Sequence, residues 1–145
     1  SGWGCEFTMR VVPFSGDKDA ENKDGSIAHN EPHWAINLMQ NIARYVYNTG
    51  NYFEAYHFMP ANSPIRMDTD TKLVGIIMVP DPQLCGMDTV HGGVDFLQMV
   101  GITQSELDWL IKEPTVERGK ILADRMREDN PLLLTDLKRK KEYVP

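Results

Sequence analysis

Apolar and polar residues alternate strictly at the start of the chain. Apolar side chains occupy every second position: Trp3, Cys5, Phe7, Met9 and Val11. A period of two is typical of a β-strand with one buried face. Residues 15–31 are polar, contain glycine and carry charges of both signs, so they predict a long exposed loop.

Apolar residues then recur at helical spacing. The stripe comprises Trp34, Leu38, Met39, Ile42, Tyr45 and Val46. Asn30 fits the N-cap position, and Gly50 fits the left-handed position that ends many helices. The pattern therefore predicts an amphipathic helix from about residue 31 to residue 49.

Four later segments have the composition of strands. Residues 51–60 predict a turn and a short strand that Pro60 ends, and residues 72–80 form an unbroken apolar run typical of a central strand. Residues 94–102 predict a long strand after Gly92 and Gly93. Residues 130–137 predict a final short strand, followed by a solvated tail.

Two further helices follow the long strand. Thr103 and Glu106 have the spacing of a capping box, and the predicted inner face of that helix is Leu107, Leu110 and Ile111. Thr115 starts the next helix, whose predicted inner face is Val116, Ile121, Leu122 and Met126. The chain is thus predicted to be one α+β domain, a mixed and largely antiparallel sheet with helices packed against it.

Gln98 is an amide in the middle of an apolar strand, "VDFLQMVGIT". A buried amide needs hydrogen-bond partners, because an unsatisfied polar group in the core is costly. We therefore predict that Gln98 is structural, buried and hydrogen-bonded to main chain.

Composition excludes several classes of protein. The formal charge is −6, which argues against a nucleic-acid-binding protein. The longest apolar run, residues 73–79, is far too short to span a membrane. Two cysteines do not make a disulfide framework, and no leader of charged and then apolar residues opens the chain, so we expect reduced thiols and a cytoplasmic location.

Candidate catalytic or metal-binding groups are sparse. His29 and His33 lie four residues apart, but Pro32 and the loop context argue against a metal site. Cys85 and His91 are a candidate nucleophile and base for a small hydrolase or transferase, although no nucleophile motif surrounds Cys85. We favour a packing role for Cys85 and predict no enzyme activity, no cofactor and no metal.

Aromatic residues are concentrated between residues 45 and 58. The group comprises Tyr45, Tyr47, Tyr52, Phe53, Tyr56, His57 and Phe58. Such a group suits either a core or a protein-binding surface, and the sequence leaves both open. For a binding surface, Tyr45, Tyr56 and His57 would supply the anchor, and Asp68, Asp70 and Asp81 would face a basic partner.

Five motifs in order resemble the Suppressor of fused domain family. They are "SGWGCEFTMR", "LMQNIARYVYNTGN", "DPQL", "GGVDFLQMVGIT" and "PLLLTDLKR". The resemblance spans residues 1–145 and implies the carboxy-terminal portion of the domain, with the preceding part absent from this chain. Of the candidate binding residues, only Tyr45 falls inside a family motif.

The resemblance implies binding rather than catalysis. The animal member sequesters a transcription factor by clamping an extended peptide, and bacterial members resemble immunity proteins that bind and neutralise toxins. We therefore expect a bacterial, single-domain interaction module whose partner is a toxin or an extended peptide of another protein. Self-association, and a structural role within a larger protein, stay open as alternatives.

Overall fold

The computed structural model describes residues 5–12, 33–51, 53–66, 69–84, 86–89 and 92–145. Within these ranges the chain forms, in order, the following elements: β1 (Cys5–Met9), α1 (His33–Thr49), β2 (Phe58–Pro60), β3 (Leu73–Pro80), β4 (Met87–Thr89), β5 (Gly92–Thr103), α2 (Gln104–Lys112) and α3 (Val116–Asp129). The predicted cap of α1 at Asn30 lies outside the described residues. Gly50 follows α1 with a φ of 71°, in the left-handed conformation expected of it.

One mixed sheet organises the chain, with strands in the order β1-β5-β3-β2. β1 runs parallel to β5, and β3 is antiparallel to both β5 and β2. β4 pairs with the first residues of β5 as a small hairpin. The α+β fold with a mixed, largely antiparallel sheet is therefore confirmed.

Helices cover both faces of this sheet. On one face α1 packs over side chains of β1, β3 and β5, a core that includes Ile42, Leu73, Ile76, Met78 and Met99. On the other face α2 and α3 cover a core that includes Ile77, Val79, Val100, Leu110 and Leu122. The central strands are buried on both sides, which explains their unbroken apolar sequence.

The capping box of α2 is present as predicted. The hydroxyl of Thr103 accepts from the Glu106 N–H, and the Glu106 carboxylate accepts from the Thr103 N–H. The predicted inner faces of α2 and α3 are wrong at three positions: Ile111 is 53% exposed, Val116 51% and Ile121 46%. In α3 the buried stripe runs instead through Gly119, Leu122, Ala123 and Met126, which share one side of the helix.

The carboxy-terminal segment differs most from its prediction. Residues 130–137 do not form a strand, because Thr135 makes only an isolated bridge to Val11. Leu137 at the end of this segment is buried. Residues 138–145 are not a solvated tail either: Tyr143 is buried, and Arg139 donates to both oxygens of the buried Glu106 carboxylate, each at 2.8 Å.

Candidate protein-interaction site

Three segments of the chain enclose an aromatic cleft of about 400 Å³. They are the end of α1 with the loop after it, the residues at the start of β2, and the turn between α2 and α3. The lining residues are Tyr45, Asn51, Phe53, Tyr56, His57, Phe58, Pro114, Thr115 and Val116. Three of the six predicted partner-binding residues, Tyr45, Tyr56 and His57, therefore meet in one cleft.

Tyr56 occupies an unusual backbone position at the entrance to β2. Its φ is 69°, a left-handed conformation that glycine adopts easily and tyrosine does not. The Tyr56 N–H donates to the Met78 carbonyl at 2.6 Å, and the Met78 N–H donates to the His57 carbonyl at 2.8 Å. Tyr56 and His57 thus both lie opposite Met78 on β3, which makes this position a β-bulge. β-Bulges are common at sheet edges, where they change the direction of side chains.

Gly119 of α3 holds the bulge from behind. A Cβ atom on Gly119 would lie 2.8 Å from both the Cβ and the carbonyl oxygen of Tyr56. Because the nearest atoms include the Tyr56 main chain, no larger residue fits without moving the bulge. α3 and the start of β2 are therefore packed at the closest approach that the backbone allows.

The imidazole of His57 is fixed by its neighbour Glu54. The Glu54 N–H donates to Nδ1 of His57 at 3.2 Å. A neutral imidazole that accepts at Nδ1 carries its proton on Nε2. With Nδ1 accepting from Glu54, Nε2 of this lining residue is left as an N–H donor.

The aromatic group from residue 45 to 58 is divided between core and surface. Phe53 contacts the Phe7 ring edge-on at 6.3 Å and the tilted Tyr45 ring at 5.9 Å, so it joins the cleft to the core under α1. Tyr45 is 39% exposed and Tyr47 is 78% exposed on the outer side of α1. Tyr52 lies outside the described residues.

The far wall of the cleft comes from the turn between α2 and α3. Arg118 stabilises this turn: its guanidinium lies 4.4 Å from the Trp109 ring, donates to the Trp109 carbonyl at 2.7 Å and pairs with Glu113 at 2.9 Å. The Thr115 hydroxyl caps α3 by accepting from the Arg118 N–H. These contacts hold the turn in place, and the residues that line the wall carry no formal charge.

Sequence reasoning missed this wall. Pro114, Thr115 and Val116 lie about sixty residues from the aromatic group. The sequence pattern places Thr115 at the start of a helix and Val116 on its inner face, and it assigns no role to Pro114. Val116 has the i, i+3, i+7 spacing of the buried residues Gly119 and Ala123, so the pattern alone gives no signal that it lines a surface cleft.

The predicted acidic residues are not part of the cleft. The Asp81 side chain is completely buried and paired with Arg10, whose two terminal nitrogens lie 2.8 Å and 3.0 Å from its oxygens. The Thr8 hydroxyl donates to Asp81 at 2.6 Å, and the Gln83 and Leu84 N–H groups also donate to it. Asp81 is therefore corrected from a surface acid to a structural one.

The hydrogen bond of Arg10 holds the pKa of Asp81 well below its usual range. Burial acts in the opposite direction, and the donors Thr8, Gln83 and Leu84 add to the effect of Arg10. Asp70 lies in a different groove, beside several lysines. Asp68 lies outside the described residues.

Gln98 belongs to the same buried network as Asp81. It is fully buried, and its amide nitrogen donates to the Leu132 and Leu133 carbonyls at 2.9 Å and 2.8 Å. Its oxygen accepts from Arg10. Gln98 thus links the long strand β5 to the irregular segment near Leu133, which is a structural role.

The candidate catalytic residues Cys85 and His91 lie outside the described residues, as do His29 and the side chain of His33. Among the residues that the structure describes, no three His, Cys, Asp or Glu side chains are grouped so that they could hold a metal ion. Within the same ranges, no helix is both long and apolar enough to cross a membrane.

Comparison with known proteins gives consistent matches. The sequence model of the family described as Suppressor of fused protein (SUFU) matches residues 1–140. The human and mouse Suppressor of fused homologs are each 28% identical over 147 aligned residues, which cover 96% of this chain. That alignment spans 26% of each relative, so the chain corresponds to about a quarter of their length.

Two solved structures share the fold. A chain from the crystal structure of the Sufu–Fu complex superposes with a TM-score of 0.80 at 29% identity, over 99% of this chain and 59% of that chain. The crystal structure of Drosophila Suppressor of Fused gives a TM-score of 0.78 at 30% identity, over 99% of this chain and 32% of that chain. The chain therefore belongs to the Suppressor of fused protein family.

Proposed function

We propose that the protein is a non-catalytic binding module and that a segment of a partner protein occupies the aromatic cleft. The observation that carries this proposal is Tyr56, a tyrosine held in a left-handed conformation beside Tyr45 and His57. Backbone strain of this kind costs free energy and is concentrated at functional sites. The half-buried ring of Tyr56 packs against the core under α2 and α3 and also lines the cleft.

The position of β2 suits the addition of an extended segment. Among the described strands β2 pairs with β3 alone, so it is an edge of the sheet there. An edge strand offers main-chain groups to an incoming strand, and pockets beside it select side chains. Because β2 has only three residues, the main-chain contribution is small and the side chains in the cleft would supply most of the affinity.

The lining predicts the chemistry of the bound residue. The described walls contain aromatic rings, a proline, a valine, an amide and a hydroxyl, but no Asp, Glu, Lys or Arg. His57 supplies a donor at Nε2. A partner side chain that is aromatic or aliphatic, next to a carbonyl or carboxylate acceptor, would satisfy both requirements.

Toxin neutralisation is the specific role that we propose for this module. Bacterial proteins that resemble this family look like immunity proteins, and the mechanism would be occlusion of the toxin by binding. The existence of a Sufu–Fu complex supports the idea that this fold binds other proteins. Such a role requires tight, stoichiometric binding and no turnover.

Affinity capture from the native cell at physiological salt, followed by titration of the captured partner, tests the proposal. Tyr45→Ala and His57→Ala should each weaken binding of that partner by about tenfold or more, since truncation of a central anchor typically costs about 2 kcal/mol or more. Tyr47→Ala is the matched control, because Tyr47 lies on α1 two residues from Tyr45 and does not line the cleft. This control should bind like the wild type.

Two results would overturn the proposal. One is a stoichiometric partner whose affinity does not change in Tyr45→Ala or His57→Ala. The other is the absence of any partner together with turnover of a small molecule that Cys85→Ala abolishes, which would favour the hydrolase or transferase hypothesis. Toxin neutralisation would be rejected separately if the captured partner had no toxicity when expressed without this protein.

A further inference from the structure

Gly119 on α3 joins the two walls of the aromatic cleft. Thr115 and Val116, which line the far wall, lie four and three residues before it, and residues at these spacings share one side of a helix. The Gly119 N–H also donates to the Thr115 carbonyl at 3.2 Å. On its other side Gly119 packs against Tyr56, which lines the opposite wall. The distance between the walls therefore depends on the contact between Gly119 and Tyr56.

A side chain at position 119 would force the two walls apart. A Cβ atom there would lie 2.8 Å from two atoms of Tyr56, whereas ordinary van der Waals contacts lie at 3.4–4 Å. One of these two atoms is the main-chain oxygen of Tyr56, so a change of rotamer cannot relieve the overlap. The backbones of α3 and of the bulge would have to separate by at least the difference between these distances.

Buried contacts on both sides determine what the separation would move. The Tyr56 N–H is bonded to the Met78 carbonyl of β3 at 2.6 Å, and further along α3 the side chains of Leu122 and Met126 are buried in the core. Separation at residue 119 would therefore displace the first turn of α3, the bulge at Tyr56, or both. Each of these carries one wall of the cleft, so either displacement would widen it.

We propose that Gly119 determines the size of the partner side chain that the cleft accepts. This inference rests on the proposed function, in which an aromatic or aliphatic side chain of a partner occupies the cleft. The absence of a Cβ at position 119 keeps the walls close, so the cleft selects a smaller side chain than it would with alanine there. Gly119 is buried and does not line the cleft, so it acts through Tyr56 and Val116.

A purely structural role of Gly119 makes a different prediction. Close packing of α3 would then affect the stability of the protein, but not its preference between two bound groups of different size. Alanine also has a higher helix propensity than glycine, so stability alone combines two opposing effects. The informative quantity is therefore the ratio of two affinities, because specificity is a difference of binding free energies.

Methyl NMR titrations with p-cresol and 3-methylindole, which carry the side-chain rings of Tyr and Trp, test the proposal. The methyl resonances of residue 116 report binding in the cleft, because Val116 lines it. In Gly119→Ala the affinity for 3-methylindole relative to p-cresol should rise by about threefold or more. Adding Val116→Ile refills the cleft from its wall and should return the ratio towards the wild-type value. Lys120→Ala, at the exposed neighbouring position, should keep the wild-type ratio.

Three outcomes would overturn the proposal. If the wild type binds both compounds and folded Gly119→Ala keeps the wild-type ratio, Gly119 has a packing role only and the proposed function is unaffected. An equal change of the ratio in Lys120→Ala would also assign the effect to the helix in general. If neither compound shifts the resonances of residue 116 in the wild type, the cleft accepts no such side chain, and the proposed function is contradicted as well.

A second pair of variants keeps the test decisive if Gly119→Ala does not fold. Tyr56→Gly/Gly119→Ala removes the Cβ of Tyr56, one of the two closest atoms, and retains the main-chain oxygen that forces the walls apart. The ratio in this double variant should exceed that in Tyr56→Gly alone. Equal ratios in the two variants would contradict the proposal.

Discussion

At the scale of single residues, Tyr56 combines a strained main chain with a half-buried ring that lines the cleft. Its main chain adopts a conformation that favours glycine, and its Cβ lies against Gly119 of α3. Glycine would relieve the backbone strain at position 56, but it would also remove a ring that packs against the core under α2 and α3. The ring of Tyr56 therefore contributes to that core as well as to the lining of the cleft.

Comparing Tyr56→Gly with Tyr56→Ala separates the cost of the strained backbone at residue 56 from the loss of the packing of its ring. Both variants lose the ring, but alanine keeps the Cβ that disfavours a positive φ, at a cost of roughly 1–2 kcal/mol. We therefore expect Tyr56→Gly to be more stable than Tyr56→Ala by about 1 kcal/mol in urea denaturation. Both should bind the partner more weakly than the wild type.

Position 120 provides the matched control for this pair. Lys120 is an exposed residue inside α3, where alanine is favoured over glycine by about 1 kcal/mol. The order of stability should therefore be reversed, with Lys120→Ala above Lys120→Gly. If Tyr56→Ala equals or exceeds Tyr56→Gly, the backbone at residue 56 is not held in the left-handed conformation.

At the scale of elements, the carboxy-terminal segment is a structural part of the domain although it has almost no regular structure. Gln98 bonds to its carbonyls at residues 132 and 133, and Glu106 at the start of α2 bonds to Arg139 and to the Tyr143 N–H. Arg125 of α3 also donates to the Tyr143 carbonyl at 2.6 Å. Hydrogen bonds from side chains of β5, α2 and α3 thus hold this segment, where a regular strand would be held by main-chain hydrogen bonds.

Arg139→Met should destabilise the protein strongly. The substitution leaves the buried Glu106 carboxylate without its charged partner, and breaking a buried pair in this way costs about 3–5 kcal/mol. Urea denaturation at neutral pH measures the loss. Lys140→Met, one residue further along, is exposed and should change stability by no more than about 0.5 kcal/mol.

A double variant checks the cause of that loss. Glu106→Gln/Arg139→Met removes both charges and keeps a carbonyl oxygen for one of the two N–H groups, Thr103 or Tyr143, that donate to separate oxygens of Glu106. Its loss should be smaller than the sum of the two single losses, because no charge is left unpaired. Strict additivity would mean that the ion pair does not hold this segment.

At the scale of the whole molecule, two buried carboxylates should make stability depend on pH. Arg10 lowers the pKa of Asp81. Burial acts to raise the pKa of Glu106, but the bonds and charge of Arg139 outweigh it, so the pKa lies below the ordinary value. Because both pKa values are lower in the folded state, the stabilisation is present above the unfolded pKa values, about 4, and is lost as pH falls below them.

Unfolding free energies measured between about pH 7 and pH 2 test this expectation. The wild type should lose stability steadily below about pH 5. Asp81→Asn should be less stable at pH 7 and show a shallower decline, since one of the two titrating groups is gone. Glu117→Gln, at an exposed position of α3, controls for the loss of a carboxylate; a similar flattening in this control would contradict the explanation.

Local patterns predicted most of the fold, whereas contacts between distant residues did not show in the sequence. The alternation of apolar and polar residues predicted β1, the helical spacing of apolar residues predicted α1, and Thr103 with Glu106 predicted the start of α2. Asp81 looked like an exposed turn residue because its partner, Arg10, lies 71 positions away. The leucines of residues 132–134 looked like a strand, but Leu133 has a φ of 51° and packs alone into the core.

The candidate site was predictable to the same extent. Tyr45, Tyr56 and His57 are close in sequence, so their aromatic density was visible. The wall formed by residues 114–116 comes from another part of the chain and required the fold. The bulge at Tyr56 was not visible, because no glycine or asparagine marks the left-handed position.

Site-specific photo-cross-linking in the native cell tests the central claim most directly. A photoreactive phenylalanine at position 116 sits in the wall of the cleft, and the same group at position 121 sits on an exposed face of the same helix outside it. We predict that position 116 forms an adduct with a single partner segment and that position 121 does not. A partner that is captured stoichiometrically but cross-links equally at both positions, or at 121 alone, would contradict the assignment of the cleft as the binding site.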